Sequence, residues 1–155
     1  METGTVDHAA YNSRIRIDCA AMRTKPVLSL DDCHKMLAAA EAHAKKNQWA
    51  VCIAIVDDGG HLLTFSRLDG CAVASVAVAQ GKAHSAAIRK RPTKNDEEMV
   101  NNGRVAALSM PGVTFMEGGV PIVVQGEVIG AVGVSGVKSS DDAAIAQAGI
   151  DALLA

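Results

Sequence analysis

The side chains with chemistry to offer gather around one tight turn and at a few isolated charges. Asp57, Asp58 and His61 surround Gly59-Gly60, and a carboxylate beside an imidazole can hold the ring in one tautomer for proton transfer near neutral pH. Asp and Gly also build turns for purely structural reasons, because Asp bonds the backbone that follows it and Gly takes unusual φ values. Asp58, Gly59 and Gly60 are therefore read chiefly as turn residues, while Asp57 and His61 are candidate acid-base groups. Arg67 ends the next run, where its planar fork could receive a carboxylate or pair with Asp69 or another chain. Lys82 interrupts a row of small side chains (Ala77, Ala79, Gly81, Ala83). Such a face admits close approach, so this cation could bind an anionic substrate, pair with Glu117, or snorkel to solvent. His84 lies two positions further and so on a different helix face, and the two are not assigned jointly. Glu117 precedes Gly118-Gly119, which sets an acid beside bare backbone; a salt bridge or a strand-start cap is the structural alternative.

Other chemistries are less well supplied. His34 and His43 are nine apart and His61 and His84 stand alone, so no zinc-ligand spacing is present and no structural metal is expected. A haem needs only one or two axial ligands and an apolar slot, which His34, His61 or a Met could provide. Gly130, Gly133 and Gly136 recur every third residue within a strand-like run, a pattern that suits close sheet packing and lacks the strand-to-helix turn of a phosphate site. No G-x-S-x-G elbow occurs, and no Cys pairs with a His in a recognisable signature. Cys19, Cys33, Cys52 and Cys71 have no C-x-x-C spacing and read as buried free thiols in a reducing compartment.

The elements that must position these groups follow from periodicity. Ser29 and Asp32 form a capping-box-like start, and Leu30, Cys33, Leu37, Ala40 and Ala44 recur at helical spacing to about Asn47. Ala50 to Val56 and His61 to Arg67 flank Asp58-Gly59-Gly60 as a β-hairpin. Cys71 to Lys90 is an Ala-rich helix that Pro92 ends. Thr93 and Asp96 repeat the capping arrangement before a second helix over EEMVNNGRVAALSM, closed by Pro111-Gly112. PIVV, the turn Gln125-Gly126-Glu127 and VIGAVGVSG make a second hairpin, and Ser139 and Asp142 cap a final helix. Two hairpins with several helices predict an α+β fold with an antiparallel sheet. Met1 to about Lys25 shows no sustained period and reads as an N-terminal arm, mobile or a single short strand, before one domain over 26–155.

Composition sets the outer limits. The chain has 155 residues, the size of one domain, and a formal charge of −2, which supplies no basic field for nucleic acid. No apolar run reaches the ~20 residues of a membrane span, and the first residues have no apolar core of a secretory signal; a cytoplasmic location is expected. Tyr11, Trp49, Phe65 and Phe115 are the only ring-bearing aromatics of their class, so the core must be built from small and β-branched side chains.

Several blocks together carry a resemblance: LSLDDCHKMLAAAEAHA, AIVDDGGHLLTFSRLDG, VAQGKAHSAA, RPTK and EGGVPIVVQGEVIGAVGVSGVKSSDDAAIAQAGI. In this order and spacing, over about Leu28 to Leu154, they resemble the GlcG/HbpS family, which includes the C-terminal domain of PduO-type proteins. The resemblance implies a profilin-like or PAS-like fold with a five-stranded antiparallel sheet, assembled as a homo-oligomer. It implies no single activity, since similar members include haem binders and hydroxylaminobenzoate lyases. In the lyase reading the block containing Glu117 forms part of the ligand pocket. In a pocket shared between subunits, Glu117 with Asp57 or His61 moves protons as oxygen departs, water attacks the ring and ammonia leaves, while Arg67 or Lys82 holds the substrate carboxylate. In the alternative the chain binds or senses haem through His34 or His61, or serves as an accessory subunit of a catabolic pathway. The expected partners are a small molecule and further copies of the chain, with no cofactor required and haem as the candidate one.

Overall fold

The computed structural model describes residues 23–154; the expected arm therefore lies, up to residue 22, outside the described residues. Helix α1 (Leu30–Lys46) starts at the predicted capping box, with the Ser29 Oγ accepting from the Asp32 amide and the Asp32 carboxylate accepting from the Ser29 amide at 2.9 Å. Its buried stripe is Cys33, Met36, Ala40 and Ala44, whereas Leu30, expected in that stripe, is 60% exposed. Strands β1 (Cys52–Asp57) and β2 (Leu62–Arg67) form the predicted hairpin.

Helix α2 (Ser75–Arg89) begins later than Cys71 and ends with Lys90 at φ 54°, a left-handed residue that closes the helix as Arg91 N donates back to Ala86 O. The single long helix expected next is two pieces, α3 (Thr93–Asn101) and a short 3-10 helix (Val105–Ser109), because the chain turns at Gly103 with φ 95°. The expected Thr93 and Asp96 cap is absent. Thr93 Oγ1 accepts from the Gly119 amide at 2.9 Å instead, and Asp96 is buried against Arg89 and Arg91. Strands β3 (Gly119–Val124) and β4 (Glu127–Ser135) are joined by Gln125 and Gly126 at φ 52° and 81°, the positive pair that a two-residue hairpin turn requires. In α4 (Ser139–Leu154) the first amides bond to Lys138 O, and Asp142 turns inward rather than capping with Ser139.

The sheet runs β2-β1-β4-β3, antiparallel throughout. It has four strands among the described residues, against the five expected, and the α+β class holds. Alternation along β1 divides the core. Ile53 and Ile55 join Val132, Val134, Met36 and Ile145 beneath α1 and α4, while Cys52, Ala54 and Val56 meet the alanines of α2. The two faces are packed differently. A Cβ at Gly133 would stand 2.3 Å from the Ala79 carbonyl and the Ala83 amide, so α2 lies on the sheet backbone to backbone. Glycine is required there by proximity. Cys33, Cys52 and Cys71 are buried and free; burial pushes the Cys52 thiol up to about 12.

Candidate functional site

The β1–β2 turn brings two imidazoles to one place. Asp57 Oδ1 accepts from the amides of Gly59 at 2.9 Å and His61 at 2.8 Å, so Asp57 rather than Asp58 fixes the turn. Asp58 instead pairs with Lys25. The same Asp57 carboxylate stands 3.2 Å from His61 Nδ1, and that imidazole is 82% exposed. Backbone donation, foremost from the His61 amide, holds the Asp57 carboxyl below its ordinary range.

On the other side of the turn, His84 projects from α2 and its Nδ1 lies 3.1 Å from the Gly60 carbonyl. A carbonyl only accepts, so Nδ1 carries a proton, and in the neutral ring Nε2 holds the lone pair. Nε2 has no hydrogen-bond partner among the described residues. Gly60 adopts φ 81°, and a Cβ there would lie 2.2 Å from His84 Nδ1, so both the turn and the ring position require glycine. His84, Gln80, Gly81, Gly60, Leu62 and Val56 line a cavity of about 250 Å³. Beside it the edge strand is poorly covered: Leu62 and Leu63 are 49% and 39% exposed.

The other predicted site residues lie elsewhere. Lys82 is 1% exposed, with Nζ 2.8 Å from Asp142 Oδ2 and 3.0 Å from the Val134 carbonyl. It neither snorkels nor meets Glu117, and its ammonium is already occupied. Burial pushes the Asp142 carboxyl above its ordinary range, against the pull of Lys82. Gly118-Gly119 is bare because α2 passes beneath it: a Cβ at Gly118 would lie 2.7 Å from Lys82 Nζ, and one at Gly119 2.3 Å from the Lys82 carbonyl. Glu117 pairs with Lys94 at 3.5 Å, and its amide donates to Glu97, which is the salt-bridge alternative.

Arg67 sits at the far end of β2, donating to the Cys71 carbonyl at 2.7 Å. Three strand spacings of about 4.8 Å, roughly 14 Å, separate the β2 edge holding Arg67 from the β3 edge beside Glu117. His34 is exposed on α1 and lines neither this cavity nor the larger cleft beside Trp49. Within one chain, then, Asp57 and His61 are brought together, and Glu117, Arg67, Lys82 and His34 are not brought to them. His84 and Gln80 are the site residues that spacing could have supplied. With Val76 they repeat every fourth residue along the side of α2 next to β2.

The sequence that builds this arrangement matches the model of the haem degrading protein HbpS-like family over residues 28–151. The chain belongs to that HbpS-like family. Protein GlcG of Escherichia coli is 53% identical over 114 residues, covering 74% of this chain and 85% of that protein. Among solved structures, Klebsiella pneumoniae protein ORFY superposes with a TM-score of 0.81 at 31% identity, covering 87% of this chain and 96% of that one. A PduOC:haem complex superposes at 0.76 with 29% identity over 82% of this chain and 95% of its own. No helix among the described residues is long and apolar enough to cross a membrane.

Proposed function

We propose that this HbpS-like chain binds haem, with His84 as the group that faces the iron. The observation that carries the reading is the His84 ring itself. Its Nδ1–H is held by the Gly60 carbonyl, which fixes the tautomer and leaves Nε2 without a hydrogen-bond partner among the described residues, on a ring that lines a cavity. The similarity to a relative solved as a haem complex supports the choice of ligand. Bound haem would supply a redox-active iron, which the His84 imidazole would hold. The protein's share is to orient His84 through the turn glycines and to offer Leu62 and Leu63 as an apolar ledge. His61, with Nδ1 tied to Asp57, is the second imidazole within this region.

Titration with haemin tests the reading. A saturable Soret shift at one haem per chain is expected, lost or strongly weakened in His84→Ala, reduced in His61→Ala and unchanged in His34→Ala. An unaltered titration in His84→Ala overturns the assignment.

A second reading rests on the Asp57 and His61 pair, a carboxylate and an imidazole arranged for proton transfer. In it the chain releases ammonia from a hydroxylaminobenzoate by general acid-base catalysis. Ammonia release that falls in His61→Ala and persists in Glu117→Gln would favour it, since Glu117 lies at the other end of the sheet. We place the protein in the cytoplasm, where Cys33, Cys52 and Cys71 remain reduced. We also expect a homo-oligomer built on the apolar edge positions Leu62, Leu63 and Val123; light scattering showing a monomer at micromolar concentration would refute that.

A further inference from the structure

A second cavity, larger than the one at His84, lies away from it, where α1 ends beside the end of β2. It encloses about 550 Å³ and is lined by Glu41, Lys45, Gln48, Trp49, Arg67 and Asp69 among others, a volume within the 300 to 1,000 Å³ common for small-molecule sites. Two of its charges are already satisfied. Glu41 accepts from Ser66 Oγ at 2.6 Å and from Lys45 Nζ at 2.8 Å, and these bonds hold its carboxyl below the ordinary range.

The other two charges are not matched. Arg67 gives one guanidinium N–H to the Cys71 carbonyl, which pins the fork and leaves its remaining donors. Arg67 and Asp69 line the same cleft, yet neither has an ion-pair partner among the described residues, each other included. Opposite charges held apart over one cleft are complementary to a ligand carrying both signs. The indole of Trp49, tilted against His43 with ring centroids 6.2 Å apart, supplies an apolar wall.

A second, independent observation marks the same place. After α1, Gln48 N donates to Lys45 O and Trp49 N to Ala44 O, both at 3.0 Å, and Gln48 has φ 58°. This helix ending favours glycine at the left-handed position. A glutamine there is a local cost, and it puts an amide side chain at the lip of the cleft, directly before Trp49. Backbone strain kept at a cavity points to a use for the side chain that carries it.

We propose that this cleft binds a free α-amino acid with a large apolar side chain. Its carboxylate meets the Arg67 fork, its ammonium meets Asp69, the Gln48 amide bonds to either head group, and the side chain lies on Trp49. Trp49 is the sole tryptophan, so its emission reports this cleft alone. Titration with L-phenylalanine should give a saturable change in that emission. 3-Phenylpropionate, without the ammonium, and phenethylamine, without the carboxylate, should each bind at least about tenfold more weakly. Arg67→Ala and Asp69→Asn should each weaken L-phenylalanine binding by a similar factor. Gln48→Gly should raise Tm by roughly 2–4 °C while weakening binding, a split that a purely structural glutamine would not give. No saturable change with L-phenylalanine overturns the proposal, as does equal binding of either truncated analogue or undiminished binding in Gln48→Gly.

Discussion

Two pairs of a nitrogen base with a carboxylate occupy opposite extremes of solvent access. In Lys82 and Asp142 the side chains are 1% and 2% exposed; in His61 and Asp57 they are 82% and 37% exposed. Removing two charges from water costs several kcal/mol per ion, which only close geometry and further hydrogen bonds offset. The buried pair has both: a 2.8 Å contact, the Val134 carbonyl on the ammonium and the Val137 amide on the carboxylate at 3.2 Å. It ties α2 to β4 and to the start of α4. The exposed pair contributes little to stability, but a ligand can reach it. Burial, more than residue type, separates the lock from the candidate site.

The comparison breaks most sharply at Lys82. Lys82→Met leaves the Asp142 carboxylate buried and unpaired, and should cost about 3–5 kcal/mol in urea unfolding. Adding Asp142→Leu should restore most of that loss, since an apolar pair of similar volume needs no compensation. A single variant that loses less than about 1 kcal/mol would mean that water reaches Asp142 and that the pair is no lock. Because neither group is free to meet a ligand, haem titration of the double variant should match that of the parent.

A smaller effect is expected where the turn supports His84. Gly60→Ala places a methyl against the His84 ring in a backbone with φ 81°, at a strain of about 1–2 kcal/mol. Tm should fall and haem affinity should fall with it, whereas Gly126→Ala, at the same φ with nothing within 4 Å of the added Cβ, should lower Tm alone. Equal haem binding in both variants would separate the turn from the ligand site.

The sequence made the elements legible where local rules decide them. The Ser29 and Asp32 box, the Asp-Gly-Gly turn and the strand after Gln125-Gly126 all follow from short-range chemistry. It misled where a polar residue serves a distant partner. Thr93, Asp96 and Asp142 look like helix-start residues, and each is buried: one holds the β3 backbone, one two arginines and one Lys82, 60 residues away. Periodicity cannot report such contacts, because it describes one element at a time. For the same reason spacing alone does not show that Asp57, His61, Arg67, Lys82 and Glu117 fail to meet within one chain, where the strand order places Arg67 and Glu117 on opposite edges. Spacing puts His84 on a different helix face from Lys82, so the two are not assigned jointly. That separation is real, and it is what brings His84 to the turn.

The weakest effect is the most informative about the exposed pair. Asp57 has a lowered carboxyl pKa, first through the His61 amide, so its ionised form is favoured in the folded state. Such a group adds stability above the unfolded carboxyl value of about 3.9, and that stability is lost as pH falls through the lowered folded value. Asp57→Asn keeps an oxygen that can accept from Gly59 and His61 but removes the charge. With a side chain more than a third exposed, screening limits the loss at neutral pH to about 0.2–1 kcal/mol. The gap between parent and variant in Tm should therefore be small at pH 7 and should close on acidification below the ordinary carboxyl range. A gap that stayed constant into acid would assign the effect to turn geometry. A gap that closed would identify the charge as what Asp57 contributes, the property His61 needs in a neighbour if it is to carry a proton.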